Sequence, residues 1–199
     1  MHRGRWAPMC WNGPVTTSEA RRSDARRNHE RVVQAAIEVF RELGLTATVP
    51  DVAARAGVGK ATVYRNFPSR DDLVEAVLAR QLQWFEARTQ SALRDPDPAA
   101  GFHGLITDWF DRIVTDRLIH DVLRSRSRPG GDRQVEGILA AFDQMTARAQ
   151  VAGAIRHDVR GADVRTLTTG CAQRLVETGQ QDEDSRRLFT QLILDALRP

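Results

Sequence analysis

The chain has 199 residues, 41% apolar and 28% charged, with Gly and Pro scattered rather than periodic, which fits a soluble globular protein. Its net charge of +3 is unevenly spread: residues 1–80 carry thirteen Arg or Lys against nine Asp or Glu, and residues 81–199 sixteen against seventeen. Two distant cysteines, Cys10 and Cys171, set aside a disulfide framework, and no apolar run reaches the roughly 18 residues of a membrane span, so a cytoplasmic protein without a membrane partner is expected.

Residues 1–23 contain Pro8, Pro14, Trp6, Trp11 and several arginines without periodicity, and read as a basic flexible arm. From Asp24 the pattern changes, because Val32, Val33, Ala36, Ile37, Phe40 and Leu43 recur at helical spacing until Gly44 stops the helix. Thr48 is a suitable N-cap for a short second helix, with Pro50 where a missing amide costs little and Val52, Ala53 and Ala56 on its buried side. Gly57 supplies a turn, and Val63 and Phe67 anchor a third helix whose other side shows Lys60, Thr62, Arg65 and Asn66. Ser69-Arg-Asp-Asp72 resembles a capping box and opens a fourth helix over residues 70–93.

Asp95-Pro-Asp-Pro98 is a hinge. An apolar stripe follows from Phe102 through Val114 to Leu123, then a basic loop over 124–131, and further helices over 132–152, 161–178 and 183–197. The expected fold is all-α with about nine helices: a helix-turn-helix module over residues 24–75 and a larger helical domain over 76–199, for which effector binding and dimerisation are the expectations argued below.

A helix-turn-helix reads DNA by placing its second helix in the major groove while the first braces it across the backbone. Lys60 and Arg70 fall at helix starts where each can hold a phosphate, and Thr48 adds a hydroxyl at another helix N-terminus. Thr62 and Arg65 are the base-edge candidates, since Arg donates twice to guanine and Thr combines a hydroxyl with a methyl group. Tyr64 has two readings: contact with the groove wall or a phosphate, or packing against the first helix. Arg21, Arg22, Arg26 and Arg27 either reach an adjacent minor groove or form a solvated tail.

Trp84, Phe85, Phe102, Trp109, Phe110 and Phe142 concentrate aromatic surface in the central domain, with His103, His120 and Arg148 as polar neighbours. These residues either line an effector cavity or fill a core. Ala172, Leu175, Val176, Phe189, Leu192 and Ile193 supply more apolar surface than two terminal helices need if one side alone is buried, and are read as a homodimer interface or, alternatively, as protomer core.

Catalytic and cofactor readings fare worse. Gly57-Val-Gly-Lys60 fails the phosphate-loop pattern at Ala54 and Ala61. Neither metal-ligand spacing nor a Ser, His and Asp constellation is present, so no metal, cofactor or enzymatic activity is expected.

Taken as a set, Val32-Val33-x-Ala35-Ala36-x-x-x-Phe40-x-x-x-Gly44, Thr48-Val49-x-x-Val52-Ala53-x-x-Ala56-Gly57-Val58 and Lys60-x-Thr62-x-Tyr64-x-x-Phe67-x-x-Arg70-x-x-Leu73 resemble the TetR family of one-component transcriptional regulators over roughly residues 25–75. The resemblance implies a dimeric repressor, released from a palindromic double-stranded operator when a small, largely apolar effector binds the C-terminal domain. It also implies pairing of the last two long helices into a four-helix interface, and DNA contacts from Thr48, Lys60, Thr62, Tyr64 and Arg70. Arg65 and Asn66 stand where many relatives carry an aromatic residue and a histidine, which leaves the operator sequence open. The competing readings are a helical protein-interaction module without sequence-specific DNA binding and an all-helical enzyme.

Overall fold

The computed structural model describes residues 17–124 and 132–199, with side chains described over 23–124 and 133–199. The expectations placed on residues 1–16 and on 125–131, and on the side chains of Arg21 and Arg22, lie outside the described residues. The described residues form nine α-helices: α1 (Thr17–Leu43), α2 (Val49–Ala56), α3 (Lys60–Asn66), α4 (Arg70–Leu93), α5 (Pro98–Thr115), α6 (Arg117–Arg124), α7 (Asp132–Val151), α8 (Gly161–Thr178) and α9 (Glu183–Ala196). A single 3₁₀ turn, Gly44–Thr46, joins α1 to α2. No described helix is long and apolar enough to cross a membrane.

Helix α1 begins seven residues before the expected Asp24, at Thr17. Its first turns are rich in Ala, Arg and Glu, which sustain a helix without burying an apolar stripe, so periodicity is silent there. Elsewhere the termini follow local chemistry. Thr48 and Asp51 form a reciprocal capping box at α2, as do Ser69 and Asp72 at α4. Gly57 closes α2 in the left-handed region at φ 64°, where a side chain would be strained.

Two cores share α4. The first packs Val32, Val33, Ala36 and Phe40 of α1 against Val52, Ala53 and Ala56 of α2, Val63 of α3, and Leu73 and Val77 of α4. The second is built from α5, α7, α8 and α9 around Phe102, Ile106, Phe110, Phe142, Met145 and Leu175. The apolar stripe running on to Leu123 is broken at Asp116, which ends α5 and accepts the Ile119 amide at 3.2 Å, so that α6 starts in a new direction. In consequence Leu118 of α6 is buried in the first core, although the sequence groups it with the second.

Where the two cores meet, Arg112 donates through Nε to Gln81 Oε1 at 3.1 Å, and Gln81 Nε2 donates to the buried Asp116 carboxylate at 2.7 Å. Asp116 therefore ends a one-way donor chain and takes the Ile119 amide on its other oxygen. Burial pushes its carboxyl above the usual range, opposed by the Ile119 bond and by the Arg112 charge. Because both oxygens must accept, Asp116→Asn sets an amide N–H against a donor, and is expected to lower stability by about 1–3 kcal/mol in urea unfolding. Unchanged stability would show that the Gln81 amide turns over and Arg112 finds another acceptor.

At the start of α8, the Arg160 side chain and backbone amide hold the Asp163 carboxyl at about 2, below its ordinary 3.8. A depressed pKa contributes stability that is present above the unfolded value and lost as pH falls through the folded one. Asp163→Asn is therefore expected to flatten the acid limb of a stability profile between about 3.8 and about 2. The pair is solvent-exposed, so the change is confined to that limb and small.

Candidate nucleic-acid interface

Helix α3 is fixed from behind. Val63 and Phe67 are buried in the first core, while Lys60, Tyr64 and Arg65 project outward, Tyr64 with 49% of its surface exposed. Thr62 and Asn66 sit half-buried at the edges of this face. Lys60 is the chain's single lysine and makes no ion pair among the described residues. The outcome is a short, polar, cationic helix surface on a rigid support, of the size that a major groove admits.

Several of these side chains hold one another in place. Arg65 Nη2 donates to Thr62 Oγ1 at 2.9 Å, coupling the two base-edge candidates. Asn66 Nδ2 donates to the Thr62 carbonyl at 2.8 Å, and its Oδ1 lies 3.2 Å from Nδ1 of His29 on α1. His29 also stacks on Phe67, with ring centroids 5.1 Å apart. Sequence reading missed His29, since one polar residue on an otherwise polar helix turn gives no periodic signal.

Thr48 also has a local duty. Its hydroxyl donates to Asp51 Oδ2 at 2.5 Å and its amide donates to the same oxygen at 2.9 Å, bonds that hold the Asp51 carboxyl below the usual range. A phosphate arriving at this end of α2 meets the Asp51 charge as well as the positive end of the helix. Arg70 is similarly engaged: Nε donates to the Ala47 carbonyl at 3.0 Å and Nη2 to the Leu45 carbonyl at 2.5 Å, with the guanidinium 5.8 Å from the Phe40 ring. This ties the start of α4 to the chain entering α2. In the free protein, Lys60, Tyr64 and Arg65 are thus the candidates whose exposed surface is least committed elsewhere.

On α1, Arg26 and Arg27 are exposed, and Arg27 pairs locally with Asp24 and Ser23. Both lie within α1, beyond the residues 1–23 expected as a flexible arm.

In the larger domain, Phe102, Phe110 and Phe142 are buried core residues, while Trp84 and Phe85 are half-buried. Phe85, Trp109 and Phe142 form a run of ring contacts with centroids 4.9 and 4.8 Å apart. The Arg112 guanidinium lies 4.9 Å from the Trp84 ring. Trp109 Nε1 and His120 Nε2 are buried without a hydrogen-bond partner among the described residues. His103 is exposed, and Arg148 donates to the Leu93 carbonyl at 2.6 Å, satisfying the C-terminal end of α4.

The terminal helices divide the interface candidates. Ala172, Leu175 and Ile193 belong to the protomer's own core, and Val176 and Phe189 are half-buried against it. Leu192 stands out with 51% of its surface exposed, and Leu188, one turn earlier on α9, with 57%. Leu188 completes an i, i+4 apolar pair that the sequence reading left out of the interface.

Comparison with known proteins adds a family match at each end of the chain. Residues 32–77 match the model for bacterial regulatory proteins of the tetR family, and residues 97–199, more than half the chain, match the C-terminal domain of SbtR-like transcriptional regulators. Among solved structures, the chain is similar to the TetR transcriptional regulator SCO0520 from Streptomyces coelicolor, with 30% identity, a TM-score of 0.65, and coverage of 86% of this chain and 98% of that one. It is also similar to a TetR transcription regulatory protein from Mycobacterium vanbaalenii, with 27% identity, a TM-score of 0.63, and coverage of 89% and 99%. The transcriptional repressor LfrR of Mycolicibacterium smegmatis is 36% identical over 85 residues, 43% of each chain, and KstR2 of the same organism is 35% identical over 93 residues, 46% of this chain and 45% of that one. The match thus spans about half the length of these curated relatives or less.

Proposed function

The chain belongs to the TetR family of bacterial regulatory proteins, and from that premise we propose that it is a dimeric repressor that leaves its operator when a small, largely apolar molecule binds the α4–α9 domain. The observation that carries this reading is the exposed Lys60, Tyr64 and Arg65 face of α3, held rigid by Val63 and Phe67. A second copy related by two-fold symmetry sets two such faces on one duplex, which favours a palindrome with half-sites spaced by whole helical turns.

Because Lys60 is the single lysine, amine acylation followed by mass analysis of the peptide that contains it reports on the amine of this face. Mixed-sequence duplex DNA at low salt is expected to protect Lys60, and salt to remove that protection. Unchanged labelling under saturating duplex would contradict a role for α3 in binding and favour a protein-interaction module instead.

For the effector, the aromatic run of Phe85, Trp109 and Phe142 supplies an apolar bed, and the buried Trp109 N–H supports a ligand carrying one acceptor in an otherwise apolar body. Other proteins of this fold, at 20% and 18% identity, were solved with ligands as different as stearoyl-CoA and resorcinol, so the fold does not select among effectors.

Release needs the effector to prefer one spacing of the two readers over another. Helix α4 spans both cores, and α6 adds a second tie, since Asp121 Oδ2 accepts the Leu45 amide at 2.8 Å while Leu45 also accepts from Arg70. Gly44 lets α6 come this close: a Cβ there, at φ 60°, would sit 2.1 Å from Asp121 Oδ2. Movement of α4 or α6 in the larger domain therefore acts on the turn that feeds α2.

A further inference from the structure

We infer that His29 is a positioning residue for operator specificity, acting through Asn66 on the C-terminal half of α3; the inference rests on the DNA-binding reading above. Helix α3 spans Lys60–Asn66 and ends at Phe67, so its last turn has little helix of its own to define it. Val63 and Phe67 anchor that turn from behind, and a chain of contacts from α1 holds its exposed side. The His29 ring lies on Phe67 at an interplanar angle of 30°, and its Nδ1 reaches Asn66 Oδ1. Asn66 in turn donates to the Thr62 carbonyl, and Arg65 donates to the Thr62 hydroxyl.

The direction of these bonds fixes their chemistry. The Thr62 carbonyl can only accept, so it takes one N–H of the Asn66 amide, the amide oxygen faces His29 and accepts, and His29 carries a proton on Nδ1. With one N–H on the Thr62 carbonyl and its oxygen accepting from His29, the Asn66 amide is oriented by bonds within the protein and works as a strut. His29 and Asn66 are separated by 37 positions in sequence and join the middle of α1 to the end of α3 on the exposed side, away from the Val63 contact. Loss of this bond leaves the buried packing intact and frees the turn that carries Arg65 and Thr62.

The test selects duplexes from a randomised pool with the full chain and its variants, alongside thermal melting. His29→Phe keeps an aromatic ring over Phe67 and removes the hydrogen bond. It is expected to melt near the wild type while base discrimination at the positions read by the end of α3 falls roughly fivefold, the equilibrium worth of one hydrogen bond. Asn66→Ala is expected to broaden the same positions, and His29→Phe in that background to add nothing. His29→Gln, which retains a donor, is expected to restore part of the preference. A wild-type palindrome with full discrimination kept in His29→Phe overturns this inference alone. A wild type that selects no sequence overturns it together with the function on which it rests.

Discussion

Arg65→Ala is expected to lower affinity for the operator about 30-fold to 150-fold while changing binding to unrelated duplexes far less. One base-edge contact contributes about 1–1.5 kcal/mol here, the lower part of the usual range because Arg65 must first leave Thr62, and two-fold symmetry counts the loss twice. Lys60→Ala is expected to behave differently. It lies at the start of α3 with no ion pair among the described residues, so it suits a phosphate rather than a base. Its removal is expected to weaken all duplexes alike and to reduce the slope of log affinity against log salt by about two, one phosphate for each half-site. Fluorescence anisotropy with operator and scrambled duplexes over a salt series separates the two. If Arg65→Ala weakens both duplexes equally, Arg65 holds the backbone and base reading lies elsewhere on α3.

The second large effect concerns assembly. Leu188 and Leu192 are exposed on one face of α9, and the residues behind them, Ile193 and Leu197, already fill the protomer core. A paired helix face needs surface of this kind, because the apolar area must come from side chains that the protomer leaves uncovered. Leu192→Asp places a charge where two copies are expected to meet, and symmetry again doubles the cost. Dimerisation is expected to weaken at least about a hundredfold, from loss of two buried leucines and the desolvation of two carboxylates. Sedimentation at micromolar protein is expected to show monomers for the variant and dimers for the wild type, with unchanged helical content. Dimers of undiminished stability would move the interface off this face of α9. Operator affinity is expected to fall with the dimer, since one half-site contributes only part of the binding free energy.

Local chemistry made much of the reader legible in the sequence. Thr48, Gly57, Ser69 and Asp72 act through their immediate neighbours, so their roles follow from type and spacing, and the structure shows the caps and the turn that those residues imply. Buried stripes such as Val32, Ala36 and Phe40 were equally readable because burial imposes the helical period. What resisted reading depends on partners distant in the chain. The break at Asp116 follows from its contacts with Gln81 and Ile119, and within an apolar stripe one Asp is an ordinary exposed residue until those contacts exist. By residue type Arg70 and Arg148 are cations available to a ligand, yet in the free protein both bond to backbone carbonyls at helix junctions. Ala172, Leu175 and Ile193 show a further limit: periodicity says which face of a helix is apolar but not whether its own chain or a second copy covers it.

Selection of bound duplexes from a randomised pool, carried out with the wild-type chain at low and moderate salt, tests the central claim most directly. A recovered palindrome whose half-sites are separated by whole helical turns, weakened by Arg65→Ala at specific bases, is the expected result. Failure to enrich any sequence, with Lys60 equally reactive in the presence and absence of duplex, would contradict it.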